Sequence, residues 1–237
     1  MPTRANALAV MAKAPIAGTV KTRLVPPLSG EQACELYRAL LLDQLDNLTG
    51  LSEIDLYLAY TPADAAPLIE NLAPPRFQCF PQRGVDLGPR MVGVLAELWH
   101  RRHHNLVLIG GDLPVLRLEI LREAFAHLHA PDRRVVLGPS QDGGYYLVGM
   151  NQAIPEMFSG MTWSHDRVLA DTIVRLRELR INFALLPDWF DVDTMADIRR
   201  LRGLDDSADS AVMKRTLDYL RRLTATPNLA RFFESKV

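Results

Sequence analysis

Seven short apolar runs rich in β-forming residues alternate along this chain with longer segments of helical periodicity. The alternation is typical of an α/β domain with a largely parallel sheet, because parallel neighbours need a long crossover that a helix can fill. The predicted strands are 7–11, 54–60, 77–80, 105–109, 134–137, 145–148 and 182–186. The sequence therefore predicts a layered α/β fold around one such sheet.

Segments with apolar residues at helical spacing lie between the strands. Residues 31–48 show this most clearly, since one helical face carries Leu36, Tyr37, Leu40, Leu41, Leu45 and Leu48. Further helices are predicted at 89–101, 118–128, 166–179, 194–201 and 211–223. A loop is predicted at 61–75, which is rich in Pro and Ala, and a linker at 205–210. We expect one domain over 1–204 and a C-terminal helical extension, 205–237, that packs on it.

The charge balance bears on the kind of partner. The 237 residues include 27 Lys and Arg against 28 Asp and Glu, a net charge of −1, so the chain as a whole does not attract polyanions. We therefore expect neither nucleic acid nor an acidic membrane as principal partner. The apolar run 7–11 is too short for a membrane span or a signal-peptide core, and the two cysteines lack metal-type spacing. We expect a soluble, cytoplasmic protein, with a homodimer left open.

Ligands of an open α/β sheet bind beyond the carboxyl ends of its strands, so the residues after each strand are candidates. The loop after the first strand, 12–24, contains Gly18 and the cations Lys13, Lys21 and Arg23, and it has no carboxylate. Backbone amides near Gly18, together with Lys21 and Arg23, are suited to phosphate oxygens. The loop is neither a Walker A motif nor GxGxxG. A solvated basic loop explains this local pattern equally well.

Acidic residues follow two later strands. Asp112 comes after two glycines at the end of the run 105–109, and Asp191 and Asp193 follow the last strand. Two carboxylates one residue apart point to the same side of an extended backbone, so with Asp112 they form a candidate site for Mg²⁺ or Mn²⁺. Helix capping is the alternative for Asp112 and for one of the later pair.

Two glycine-containing segments are further candidates. The Asp142-Gly143-Gly144 stretch predicts either a hairpin turn or a loop that closes over an acceptor molecule. In 82–91, a bend around Asp86 can present amides to a base or ribose. Arg90 lies in the first turn of a predicted helix, where a cation opposes the helix dipole and indicates an anionic partner.

Taken in order, six motifs carry a family resemblance. They are KAPIAGTVKTRL, QRGVDLGPRM, GGDLP, DGGYYLVG, WSHDRV and DVDTMADI. Their succession resembles the glycosyltransferase-like family DUF2064, which is related to the phospholactate guanylyltransferases and belongs to the nucleotide-diphospho-sugar transferase superfamily of GT-A fold. The resemblance covers about residues 7–202 and implies a three-layer α/β/α sandwich, Rossmann-like, with a mostly parallel central sheet.

The resemblance also implies roles for individual residues. The implied nucleotide-binding residues are Ala12, Lys13, Gly18, Lys21, Thr22, Arg23, Asp86 and Arg90. The implied metal ligands are Asp112, Asp193 and Asp191, and the acceptor side is expected at Asp142, Gly143, Gly144 and Trp163. The residues expected to act in catalysis are Lys21, Arg23 and Asp112.

These features predict a transferase that depends on Mg²⁺ or Mn²⁺ and acts on a nucleotide and a small acceptor. The leading hypothesis is a nucleotidyltransferase that joins a nucleoside monophosphate to a phosphate or acid group and releases pyrophosphate. The chain departs from such enzymes by having the single Gly18 in its loop, and from Asp-x-Asp glycosyltransferases by having Gly110 two residues before Asp112. A glycosyltransferase using a nucleoside diphosphate sugar and an inactive nucleotide-binding protein remain alternatives.

Overall fold

A computed structural model describes residues 5–163, 165–205, 208–226, 229, 232 and 233. In this part of the chain, one sheet is formed by β1 (Asn6–Lys13), β2 (Asp55–Thr61), β3 (Phe77–Pro81), β4 (Asn105–Gly110), β5 (Arg134–Pro139), β6 (Tyr145–Met150) and β7 (Asn182–Leu185). The strand order is β3-β2-β1-β4-β6-β5-β7. Strand β6 is antiparallel to β4 and β5, and the other neighbours are parallel. The mostly parallel sheet confirms the predicted fold class.

Helices cover both faces of the sheet. The α-helices are α1 (Gly30–Leu48), α2 (Ala66–Leu72), α3 (Leu87–His100), α4 (Leu118–Leu128), α5 (Val168–Glu178), α6 (Met195–Arg202) and α7 (Lys214–Thr224). Alternate residues of β1 point to opposite faces, as the pleat requires. Leu8 and Val10 join a core with α1, α2 and α4, while Ala7 and Ala9 join a core with α3 and α5. Sheet and helices therefore form three layers.

Helix α2 lies in the stretch 61–75, where a loop was predicted, so that prediction is wrong. Pro67 suggested a break, but it occupies the first turn, where a backbone N–H has no intrahelical partner to lose. Ile69 is fully buried in the core beneath this helix. A buried Ile69 and a proline in the first turn are thus compatible with the short helix α2.

Capping boxes begin helices α1 and α6. Ser29 caps α1 with Gln32, and Thr194 caps α6 with Asp197. Since Thr194 supplies the capping oxygen, the carboxylate of Asp193 is not used as the cap. Helix α4 begins after Arg117, well beyond Asp112. The capping alternative therefore applies to neither Asp112 nor Asp193.

The last helix packs on the first. Leu217 and Leu220 of α7 share an apolar cluster with Leu36 and Leu40 of α1. Asp43 of α1, which is 2% exposed, accepts hydrogen bonds from the backbone amides of Arg215 and Thr216 at 3.2 and 2.8 Å. The predicted linker includes residues 206 and 207, and the predicted extension includes the last residues, 234–237, all of which lie outside the described residues. The division into a domain and an extension stays a prediction.

None of the helices in the described part of the chain combines the length and the apolar composition that a membrane crossing requires.

Candidate active site

A cleft of about 730 Å³ opens at the carboxyl ends of β1 and β4. The two strands are parallel neighbours, with Met11 opposite Gly110, so the loops that follow them meet at one edge of the sheet. Lys21 and Arg23 come from the loop after β1, and Asp112 comes from the loop after β4. Asp191 and Asp193 enter from the segment before α6. Residues far apart in sequence thus form one charged cluster.

Lys21 is the centre of this cluster. Its Nζ donates hydrogen bonds to Oδ2 of Asp112 and Oδ1 of Asp193, both at 2.9 Å, and its side chain is only 3% exposed. Burial alone lowers the pKa of this ammonium, but the charges of Asp112 and Asp193 outweigh burial and hold the pKa above its ordinary value. Lys21 therefore carries a positive charge between two carboxylates.

The backbone of Lys21 is left-handed, with φ of 49°. A non-glycine residue in this region costs about 1–2 kcal/mol, because its Cβ approaches the following carbonyl. The two ion pairs of the side chain offset this cost. Arg23, which lies near the rim of the cleft and is 74% exposed, donates from Nη1 to Oδ2 of Asp193 at 3.1 Å. Both oxygens of Asp193 are thus bound to cations of the first loop.

The carboxylates differ in their surroundings. Burial favours the neutral form of Asp112, but the charge and hydrogen bond of Lys21 hold its pKa below the usual value. Asp191 instead accepts a hydrogen bond from the neutral Ser140 hydroxyl at 2.8 Å. Burial and the neighbouring Asp112 charge raise the pKa of Asp191 to about 7, although the Ser140 hydrogen bond opposes the rise. Lys21 thus keeps Asp112 ionised, whereas burial and the Asp112 charge favour the protonated form of Asp191.

Tyr37, Gln82 and Gly111 lie against the end of β1. The Tyr37 hydroxyl accepts from the Lys13 amide at 3.0 Å and donates to the Lys13 carbonyl at 2.9 Å. Gln82 Nε2 donates to the Ala59 carbonyl at 2.7 Å and to the Ala12 carbonyl at 3.3 Å. A Cβ on Gly111 would lie 2.9 Å from the Cβ of Ala12. Glycine at this position lets the loop after β4 approach β1.

Residues of α3 and of the segment before α5 also line the cleft. Trp163 packs over Gly88, where an added Cβ would lie 2.4 Å from the indole Nε1. Arg90 Nε donates to the Gly84 carbonyl at 3.0 Å, which closes the bend predicted in 82–91. Tyr145, at the start of β6, and His165 are further lining residues. This part of the lining combines aromatic side chains with the ionisable Arg90 and His165.

Most of the predicted site residues line the cleft. They are Ala12, Lys13, Lys21, Thr22, Arg23, Arg90, Asp112, Asp142, Gly144, Trp163, Asp191 and Asp193. Three predicted residues, all in the described part of the chain, lie outside the lining: Gly18, Asp86 and Gly143. The prediction did not include several lining residues, among them Tyr37, Gln82, Tyr145 and His165.

Local geometry explains the three residues outside the lining. Gly18 has φ of +80°, and a Cβ added to Gly30, at the start of α1, would lie 3.5 Å from its backbone nitrogen. Asp86 directly precedes α3, and its carbonyl accepts a hydrogen bond from the Arg90 amide at 3.1 Å. Gly143 has φ of +88°, and a Cβ there would lie 1.9 Å from the Asp166 carbonyl oxygen. Gly143 thus forms the β5–β6 turn packed on the start of α5, which is the hairpin alternative.

Comparisons with known proteins give concordant results. Residues 44–165 match the model of a family described as "Uncharacterized protein conserved in bacteria (DUF2064)". A candidate nucleotide-diphospho-sugar transferase of known crystal structure, from Desulfovibrio desulfuricans G20, is 30% identical. Its superposition has a TM-score of 0.82 and covers 93% of this chain and 98% of that one.

Two guanylyltransferases are similar in sequence. The phosphoenolpyruvate guanylyltransferase of Rhodococcus erythropolis is 28% identical, over 90% of this chain and 95% of that protein. The 3-phospho-D-glycerate guanylyltransferase of Phenylobacterium zucineum is 29% identical, over 57% of this chain and 62% of that protein. The similarity to the first of these spans nearly its whole length.

Proposed function

The chain belongs to the DUF2064 family of bacterial proteins, and from that premise we propose that it transfers a nucleoside monophosphate from a nucleoside triphosphate to a small acidic acceptor. Membership confirms the family resemblance of the sequence motifs, and the chain is a transferase. In the proposed reaction, pyrophosphate is the second product.

One observation carries the proposal: Lys21 Nζ lies 2.9 Å from carboxylate oxygens of both Asp112 and Asp193, at the carboxyl ends of β1 and β4. A triphosphate that binds at this edge of the sheet needs cations to offset its charge, and a metal ion that accompanies it needs carboxylate ligands. Lys13 and Arg23 line the same cleft. A cluster of this composition suits a metal-bound nucleotide better than a neutral ligand.

A divalent ion, Mg²⁺ or Mn²⁺, is part of the proposal. Within the described residues, no group of three or more His, Cys, Asp or Glu side chains is arranged to hold a metal ion. The donor chemistry nevertheless fits, because Asp112, Asp191 and Asp193 offer the hard oxygens that these ions prefer. We propose these three residues as the ligands that would hold the ion once their carboxylates converge on it, since Lys21 now lies between Asp112 and Asp193. When bound, the ion would supply positive charge to the phosphate oxygens.

The residues of the chain act in the transfer by position and charge. An ionised oxygen of the acceptor attacks the α-phosphorus, a new P–O bond forms, and the bond to the β-phosphate oxygen breaks. Lys21 and Arg23 offset the charge that develops on the departing pyrophosphate. The attacking oxygen is already deprotonated at neutral pH when it belongs to a phosphate or carboxylate. The chain therefore needs no general base for this step.

The relatives suggest the substrates to test first. Both guanylyltransferases carry the names of phosphorylated carboxylic acids, phosphoenolpyruvate and 3-phospho-D-glycerate. We therefore propose GTP as donor and a phosphorylated carboxylate as acceptor. Asp142, Gly144 and Trp163, together with Arg90, line the part of the cleft assigned to binding beyond the phosphates.

Sugar transfer from a nucleoside diphosphate sugar is the second candidate. It is favoured by the 30% identical candidate nucleotide-diphospho-sugar transferase, which is similar over almost its whole length. The two reactions use the same cleft but release different products. Pyrophosphate marks nucleotidyl transfer, and a free nucleoside diphosphate marks glycosyl transfer.

The test measures both products from one set of reactions. The purified protein is incubated with Mg²⁺, a panel of nucleoside triphosphates and sugar nucleotides, and the two phosphorylated acids. We expect pyrophosphate release with one triphosphate and one acceptor, abolished in Asp112→Asn and retained in Asp64→Asn, an exposed surface residue outside the cleft lining. Release of a nucleoside diphosphate from a sugar nucleotide would favour the second candidate. Turnover of neither donor class would contradict both.

A further inference from the structure

The Lys21 ammonium lies at the point where two of the proposed metal ligands converge. It bridges Asp112 Oδ2 and Asp193 Oδ1 at 2.9 Å each, and its side chain is almost completely buried. Arg23 binds the other oxygen of Asp193 at 3.1 Å. A divalent cation that used Asp112 and Asp193 would therefore have to take over oxygens now held by cations of the chain.

The two cations are not equivalent. Arg23 is 74% exposed, so solvent screens its charge and the side chain can leave Asp193 at little cost. Lys21 is 3% exposed and touches both carboxylates. Like charges a few ångströms apart in a partly buried site repel strongly. Lys21 is thus the group that competes most directly with a metal ion.

We propose that Lys21 is a displaceable counter-ion: it holds Asp112 and Asp193 in the free protein, and it leaves them when a divalent metal ion binds together with the nucleotide. This inference rests on the proposed function. The phosphates of the nucleotide offer the ammonium new oxygen partners in the same cleft, which Lys21 already lines. The movement therefore exchanges one set of charged hydrogen bonds for another.

The geometry of the loop favours such an exchange. The ammonium ends a flexible four-carbon side chain, so it can turn into the cleft by changing rotamers. The backbone at Lys21 is in the costly left-handed region, and the ion pairs offset this cost in the free protein. The loop is therefore held in place partly by the contacts that the metal ion would replace.

Two consequences follow for binding. The metal ion alone binds the free protein weakly, because it must displace Lys21 without offering the ammonium another partner. Metal ion and nucleotide raise each other's affinity by the same factor, as any coupling between two binding equilibria requires. In the opposite case, where Lys21 is a permanent structural bridge, its removal destabilises the fold without improving metal binding.

The test is a titration of nucleotide-free protein with Mn²⁺ alone, in which the electron paramagnetic resonance signal of the free ion reports binding. We expect Lys21→Met to bind Mn²⁺ at least about tenfold more tightly than the wild type, since one like charge has gone from beside the ion. Lys21→Arg, which keeps the charge, should bind as weakly as the wild type. Lys214→Met removes the same charge from the exposed start of α7 and should also leave Mn²⁺ binding unchanged.

Lys21→Gln is the second variant, because its amide can still donate a hydrogen bond to a carboxylate if Lys21→Met fails to fold. The proposal is overturned if a folded Lys21→Met or Lys21→Gln binds Mn²⁺ no more tightly than the wild type. Tight binding of Mn²⁺ to the nucleotide-free wild type, with no need to remove the ammonium, overturns it as well. Failure of the proposed function would show separately as absence of nucleotide turnover, which this titration does not measure.

Discussion

Gly111→Ala tests whether the spacing of β1 and β4 sets the geometry of the charged cluster. The added Cβ would lie 2.9 Å from the Ala12 Cβ and 3.1 Å from the Met11 carbonyl oxygen. Ordinary contact begins near 3.4 Å, so the loop after β4 has to move by at least about 0.5 Å. Both obstacles belong to the backbone or to a Cβ, and neither can rotate away. Asp112, the next residue, moves with the loop.

The expected effects are large on turnover and moderate on stability. A displacement approaching 1 Å at a reacting centre costs roughly 100-fold in rate, so we expect kcat/KM of Gly111→Ala to fall about 10- to 100-fold. Overpacking costs about 1–3 kcal/mol. In a chain of this length each kcal/mol lowers Tm by about 2–4 °C, and the expected fall in Tm is therefore about 2–12 °C.

Gly50→Ala is a matched control. Its Cβ would also meet an atom at 2.9 Å, but that atom is the terminal Cδ1 of Leu118, which can move, and the nearest backbone atom, the Asn47 carbonyl oxygen, lies 3.3 Å away. Gly50 does not line the cleft. Pyrophosphate release and thermal unfolding are measured for both variants. If Gly111→Ala keeps wild-type kcat/KM, the spacing of the two strands does not control the site, and the reasoning is refuted.

Three further predictions follow from the same geometry. Asp112→Asn should lower kcat about 100-fold or more, as expected for loss of a preorganised charge. The Tm should change little, because Lys21 keeps its hydrogen bond to Asp193. A kcat within threefold of wild type in the pyrophosphate assay would contradict this. Asp43→Ala should cost about 2–4 kcal/mol in denaturant unfolding and leave kcat unchanged, because two amides at the start of α7 lose a buried acceptor; unchanged stability would contradict the capping role. Chelation of divalent ions should abolish turnover, which Mg²⁺ or Mn²⁺ should restore; full activity in excess chelator would refute the proposed metal dependence.

The sequence predicted all strands of the sheet because each is a short apolar run bounded by polar or turn residues. It did not predict strand order, which depends on pairings between distant residues such as Leu106 and Met150. The reversed direction of β6 followed from only one of the two alternatives for residues 142–144, the hairpin turn. Helix α2 was not predicted, because a proline such as Pro67 is typical of loops as well as of the first turn of a helix. Local patterns thus predict the elements, whereas their arrangement depends on long-range packing.

The candidate site was predictable where charge follows a strand end. Lys21 lies in a loop with three cations and no carboxylate, and Asp112 follows two glycines at the end of an apolar strand. The parallel pairing of β1 and β4 brings the two loops together. Tyr37 was predicted as a core residue of a helix and not as a site residue, because its spacing matches the apolar face of that helix. Its hydrogen bonds to Lys13 form only in the folded chain. Gly143 was predicted on the acceptor side, but it lies outside the cleft lining. Its backbone packs closely against Asp166, which a local motif does not indicate. The roles of the site residues stay predictions.

The most direct test of nucleotidyl transfer follows the phosphorus atoms of the donor. The protein is incubated with Mg²⁺, an acceptor acid and GTP labelled at either the α- or the γ-phosphorus, and the products are separated. The proposed function predicts that the α-label enters the acceptor product and the γ-label enters pyrophosphate. Transfer of the γ-label to the acceptor, or retention of both labels in the nucleotide for GTP and every other triphosphate tested, would contradict it.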